Sequence, residues 1–442
     1  MTQRTPNCAL QRLFTESGWT LDQCARAVNR VGTEIGRPLR YNESAVHHWL
    51  GGTLPREPVR RIILEAFCRR LDRPVTHAQA GFPMPTVPAS DFVGTVEGLV
   101  ELGSMDVDPS RRGLLGAGLF SVALTIPGWQ DVVARAEGIR TGKSAHIGMN
   151  DVRMVIDMSD RLSDLDDEFG GGYTRPMAAS FLINTVAPAL GAGGTDEVRK
   201  AMRSAASDLC YLTGYMAVDE GEHHLAQQYY LKALELAGAA NDPLTYCTTL
   251  RGMSVQAINL GHGAKALRLA DAAAAASPQA GPRMRAFLAG QQAHAAAQTG
   301  DRAGALSHIR EAEIAMDRAE SRPQTFRSYD FTSLYYHVGQ VRYELGDKIR
   351  ALQAFEESDR VRLSMYQRNR VHYRGLIAER QLELGHLEAA CHTWNLALDD
   401  YPLVKSGRAD DRMRRMAAFI RPYRKNAAAR ALYERARPLL KV

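Results

Sequence analysis

GEHHLAQQYY at residues 221–230 returns four times in altered form, as GHGAKALRLA at 261–270, GDRAGALSHI at 300–309, GDKIRALQAF at 346–355 and GHLEAACHTW at 385–394. In each stretch the opening glycine is followed five residues later by alanine (Ala226, Ala266, Ala305, Ala351, Ala390) and four further on by Tyr230, Ala270, Ile309, Phe355 or Trp394. Seven residues before each glycine stands another small residue: Gly214, Ser254, Ala293, Gly339 or Ala378. The pattern predicts helix hairpins. Glycine makes the turn because it enters the left-handed conformation without Cβ strain. The small residues let paired helices approach, and the large residue fills the space beside them.

The five units resemble tetratricopeptide repeats. Their successive spacings of 40, 39, 46 and 39 residues exceed the usual 34, which predicts longer helices or longer loops between repeats. If the first helix of each hairpin lines the concave face, the resemblance places Tyr211, Tyr215, Arg251, Asn259, His294, Tyr336, Gln340 and Glu379 there. Aromatic rings, amides and a guanidinium suit an extended peptide, and equally a small molecule or a protein segment.

Composition agrees with a helical protein. Apolar residues make up 45% of the chain but aromatic ones only 7%, so helices must pack largely through small side chains. The net charge of +6 is unevenly spread: residues 1–80 carry +5 and residues 405–442 carry +9, leaving −8 between them. Basic ends around an acidic body fit a polyanion partner at an end and a different role in the middle. The basic C-terminal segment reads as a helix pair with a solvated outer face, its Met413, Met416, Ile420, Leu432, Leu439 and Leu440 capping the array.

The six cysteines are scattered, without metal-ligand spacing among Cys or His, which fits reduced thiols and a cytoplasmic protein. The longest apolar run, residues 113–126, is shorter than the roughly 20 residues a membrane span needs, and reads as a helix docking on the array. Ser110-Arg111-Arg112 before that run resembles an export signal but stands behind a whole domain. Gly142-Lys143-Ser144 lacks the spacing and preceding strand of a phosphate loop. No catalytic, metal or cofactor constellation emerges, and the chain is expected not to be an enzyme.

Ahead of the array, residues 8–80 read as a small helical bundle. The stretch YNESAVHHWLGGTLP at 41–55 predicts a short helix capped by Asn42 and stopped at Gly51-Gly52. Val46, Trp49 and Leu50 anchor it, while Glu43, Ser44, His47 and His48 face out. A preceding helix capped by Thr20 carries Leu21, Cys24, Ala25 and Val28 on one face, and Pro58 opens a following helix with Val59, Ile62, Ile63, Ala66 and Phe67.

Thr20-Leu21 with Ala25, then Ser44-Ala45-Val46 with Trp49-Leu50, Gly52 and Pro55 resemble the helix-turn-helix domain of Xre/Cro type, with VGTEIGRPLR at 31–40 standing as an insertion. The resemblance implies that Glu43, Ser44, His47 and His48 meet base edges while Arg37, Arg40, Arg56 and Arg60 meet phosphates of double-stranded DNA, on a homodimer. The expected architecture is all-α: a DNA-binding domain at 1–82, a Pro-rich linker and docking helix at 83–145, and a tetratricopeptide-like solenoid at 146–442. That order, together with LDDEFGGGYTRP at 165–176, resembles actinomycete regulators of differentiation and antibiotic production. It implies a transcriptional regulator whose array senses a partner. The competing expectation is a scaffold for protein–protein interaction whose N-terminal domain does not bind DNA.

Overall fold

The computed structural model describes residues 6–34, 37–73, 75–83, 94–107, 146–276, 278, 280–319, 329–362 and 366–440. The apolar run at 113–126, Ser110-Arg111-Arg112 and Gly142-Lys143-Ser144 lie outside them. The described residues are all-α, with no strand beyond an isolated bridge between His146 and Gly193. They divide into two units, one within residues 1–94 and one that takes in Thr95–Val107 and residues 146–440.

The first unit packs α1 (Cys8–Ser17), α2 (Leu21–Glu34), α3 (Glu43–Leu50) and α4 (Glu57–Leu71) around one core of Leu10, Leu13, Val28, Val46, Trp49, Ile62, Ile63 and Phe67. Thr20 and Gln23 exchange hydrogen bonds at the start of α2, a capping box that satisfies two helix-end donors. Asn42 accepts from the Ala45 amide at the start of α3. Gly52 supplies the left-handed residue after α3 with φ +95°, whereas Gly51 keeps φ −73°. The stretch 31–40 is only partly an insertion, because Val31–Glu34 is the last turn of α2.

The second unit begins with α5 (Thr95–Val107), then α6 (Met149–Phe169), α7 (Gly171–Phe181), a π-helical turn (Leu182–Val186) and α8 (Ala187–Leu190). Helix α5 buries Leu99, Leu102 and Asp106. The Asp106 carboxylate pairs with fully buried Arg175 and accepts from the Tyr229 hydroxyl at 2.9 Å. Helix α5 thus docks on α7 and α10, while the docking helix expected at 113–126 lies outside the described residues.

Five hairpins follow: α9 (Asp196–Glu220) with α10 (His223–Ala240), α11 (Pro243–Asn259) with α12 (Gly263–Ala276), α13 (Pro282–Thr299) with α14 (Arg302–Asp317), α15 (Phe331–Glu344) with α16 (Lys348–Arg360), and α17 (Gln367–Glu383) with α18 (Leu387–Asp400). The turn glycines 221, 261, 300, 346 and 385 all have φ between +77° and +86°. Each following alanine is fully buried.

The small-residue rule is visible atom by atom. A Cβ on Gly214 would lie 2.8 Å from the Tyr230 ring, and one on Gly339 would lie 2.5 Å from that of Phe355. Ser254 uses its hydroxyl to donate to the Ala266 carbonyl at 2.7 Å. Helices α19 (Gly407–Ile420) and α20 (Ala427–Leu440) finish the unit, burying Met413, Met416, Ile420 and Leu432, while Leu439 stays exposed.

Candidate binding faces

The first helices of the hairpins form an inner row: α9, α11, α13 and α15 pack in succession, Tyr336 of α15 meets Tyr373 of α17 at 4.8 Å, and α19 packs on α17. Helix α19 then packs against α9, and α17 against α6, so the array closes on itself. The physical cause is a pair of backbone-to-backbone contacts and a buried ion cluster.

Gly170, Gly171 and Gly172 meet the chain from far along the sequence. The Lys405 amide donates to the Phe169 carbonyl at 2.7 Å, and the Gly172 amide to the Lys405 carbonyl at 3.0 Å. A Cβ on Gly170 would stand 2.5 Å from the Lys405 carbonyl oxygen, and one on Gly171 would stand 2.6 Å from that of Met216. Gly407 approaches Glu220 as closely, at 2.7 Å for the same construction. Only glycine permits these approaches.

Arg368 on α17, 2% exposed, completes the closure. Its guanidinium lies 3.1 Å from Asp166, 2.7 Å from Asp167 and 3.4 Å from Asp219, and its Nε donates to the Asp166 carbonyl. Arg408 on α19 adds a 3.0 Å pair with Asp219. Burial pushes the Asp166 carboxyl up to about 7 despite Arg368. Asp219 is equally buried, but Arg408 and Arg368 together hold it below the usual carboxylate range. Three carboxylates thus share two guanidiniums, with Asp166 the one readiest to take a proton.

Four of the expected inner-face residues meet here. Tyr215 is half-buried between Arg368 and Arg408, each guanidinium carbon 5.4 Å from its ring centre. Burial alone would raise its phenol, and the two arginines outweigh it, so its acidity is increased. Tyr336 accepts from the Gln340 amide at 2.6 Å and stands edge-on to Tyr373 at 4.8 Å. Glu379 is 5% exposed and accepts from Arg412 at 2.6 Å, so its charge is already answered.

Arg251, on the same row of helices, lies half-buried with its guanidinium carbon 3.6 Å above the Phe287 ring. It has no carboxylate partner among the described residues. The remaining three expectations are corrected. Tyr211 is buried and stacks on Tyr230 at 5.9 Å, pressed against Gly252. His294 is 6% exposed beside His337, and burial lowers it to about 4, a neutral core histidine. Asn259 is the exposed last residue of α11 at the hairpin turn.

Tyr373, His372, Arg408 and Arg412 also join this face. Arg412 is 9% exposed, which corrects the reading of the basic C-terminal segment as wholly a solvated face.

In the first unit, α3 presents Glu43, Ser44, His47 and His48 to solvent while Val46 and Trp49 are buried. Arg37, Arg40 and Arg56 are exposed, and Arg60 is half-buried with its Nε donating to the Pro55 carbonyl at 2.7 Å. The connection into α3 is held by Asn29, whose side chain donates to the Tyr41 carbonyl at 2.8 Å and accepts from the Tyr41 amide at 2.9 Å. Leu39 covers Gly32, where a Cβ would come within 2.7 Å of it.

No group of His, Cys, Asp or Glu suited to a metal is found among the described residues, and none of their helices is long and apolar enough to cross a membrane.

A family model described as the SP15 N-terminal domain matches residues 10–83. Among curated proteins nothing matches the chain. A solved structure titled "Crystal structure of APC/C hetero-tetramer Cut9-Hcn1" is similar with a TM-score of 0.33 and 12% identity, over 93% of this chain and 68% of that one.

Proposed function

We propose that this chain is a non-enzymatic recognition protein whose closed tetratricopeptide-like array binds a protein partner, gripping a segment of it on the inner face. One observation carries the reading. Tyr215, Arg251, Tyr336, Gln340 and Tyr373 share the inner row of helices, half-buried, offering rings and polar groups without a catalytic set. Such a surface suits recognition by stacking and hydrogen bonds. Affinity capture with the full chain, compared with Y336F/Q340A, tests it. The partners should be lost from the variant while its unfolding midpoint stays close to wild type; the same partners recovered at equal yield would refute an inner-face role.

A second reading is favoured by the outward face of α3. A short helix with Glu43, Ser44, His47 and His48 in solvent, flanked by Arg37, Arg40 and Arg56, suits a major groove. In this reading the chain is a cytoplasmic, homodimeric transcriptional regulator controlling differentiation or antibiotic production, with the array sensing the signal. Fluorescence anisotropy of the full chain on promoter fragments should then fall steeply with salt, and Arg40→Ala should weaken all sequences alike and lower the salt slope by about 1. Salt-independent retention, or none at low salt, would leave the scaffold reading alone.

A further inference from the structure

We propose that the cleft between the start of α13 and the outer side of α14 is a binding site for a small phosphate-bearing molecule with an apolar body. The cleft holds about 290 Å³ and is lined by Arg285, Arg310 and Arg318 together with Ser307, Glu311 and Ile314. It belongs to the second unit but not to the inner face, and does not depend on what that face binds.

Three observations converge on an anion. Arg285, Arg310 and Arg318 line one concavity, and none of their guanidiniums has a carboxylate or hydrogen-bond partner among the described residues. The acid in the lining, Glu311, lies 3.4 Å from His308 and pairs with none of them. The part of the chain between its two basic ends is acidic, at −8, so carboxylates are plentiful there and yet this cluster goes without. Like charges held together repel, and a dianion that accepts from two or three guanidinium forks removes the repulsion. Ser307 adds a hydroxyl donor.

The apolar half of the ligand follows from the floor. Ile314 lies between Arg310 and Arg318 at one helical turn from each and is 46% exposed within the cleft. A bare phosphate would leave that surface wet, whereas a ring or short alkyl group attached to the phosphate covers it. The volume sits at the small end of ligand sites, which excludes a large cofactor.

The test uses the full chain and three probes: phenyl phosphate, inorganic phosphate and phenol, each at ionic strength matched with sodium chloride. Phenyl phosphate should raise the melting temperature by about 2 °C or more at saturation and broaden its own phosphorus NMR line. Inorganic phosphate should do less, and phenol nothing. The exposed double variant R310Q/R318Q should fold as wild type does and abolish both signals. No response beyond the salt control, an equal response to phosphate and phenyl phosphate, or an unchanged response in the variant would each overturn the assignment.

Discussion

The two units place their charges in opposite ways. In the N-terminal unit most ion pairs lie at the surface, as with Arg73 and Glu16 at 2.6 Å or Arg26 and Asp22 at 2.5 Å, and the one on a buried carboxylate, Arg69 with Glu65 at 2.9 Å, stands beside an apolar core. In the repeat unit the cluster of Arg368, Asp166 and Asp219 is within a few percent of complete burial. The difference separates site from scaffold in one unit and joins them in the other. Helix α3 can change its outward residues without touching Val46 or Trp49. The inner face of the array cannot change freely, because Tyr215 sits between the same two arginines that close the ring.

The largest effect should come from breaking that closure. Arg368→Met leaves Asp166 and Asp219 buried with less positive charge to answer them, and removing one partner of a buried pair costs about 3–5 kcal/mol. Urea unfolding followed by segment-resolved hydrogen exchange should show the loss in the repeat unit alone. Arg73→Met, at the surface pair, should leave its unit's unfolding unchanged. A wild-type midpoint for R368M would mean that the ion cluster contributes nothing and that the glycine contacts close the array unaided.

Acid should separate the units next. Burial lowers His223 and His294 to about 4, and holds His337 and His372 well below the usual histidine range. A histidine depressed in the folded state contributes stability that is full above its unfolded value near 6.5 and is lost as pH falls towards its folded value. For His294 alone the loss between pH 6.5 and 4 is on the order of 3 kcal/mol. Asp166, raised to about 7, works the other way: its burial costs most above pH 7 and is relieved below it. Asp167, Glu344 and Asp400, which burial also raises, side with Asp166, whereas Asp219, held low, sides with the four histidines, and these together give net acid destabilisation of the array. In the N-terminal unit the one histidine lowered by burial is His77, so pulse-labelled exchange at pH 5 should open the hairpins first. Opening of α1 to α4 before the hairpins would contradict this account.

What could be read in the sequence divides along the same line. The turn glycines, buried alanines and the Gly339 and Phe355 pair are local, so a fixed spacing reveals them. Gly170, at φ +90°, ends α6 in a conformation that suits glycine. The reason for three glycines is not legible, because it lies in Lys405 and Met216. Arg408 and Arg412 share a basic segment with solvated arginines, and nothing local tells which point inward. Tyr211 and His294 occupy plausible groove positions by repeat register, yet neighbouring Gly252 and His337 draw them into the core. Closure depends on pairs separated by most of the array, and one sequence carries no trace of such pairs.

The smallest effect probes the same contrast at the entry to α3. Asn29 satisfies both backbone groups of Tyr41, and Tyr41 in turn stands edge-on to Trp49 at 4.9 Å. The outward face of α3 is therefore aimed by one amide on α2, although none of its four polar residues is needed for packing. Asn29→Ala deletes two hydrogen bonds at a half-buried site, at a cost of about 1–2 kcal/mol. The loss should appear in the exchange of α2 and α3 and leave the hairpins at wild-type protection. If α3 reads DNA, the same variant should lower affinity more than its stability loss explains, because the exposed residues remain while their presentation is lost. Unchanged protection at Tyr41 would show that Leu39 over Gly32 suffices to fix the helix, and that its orientation is set by apolar packing alone.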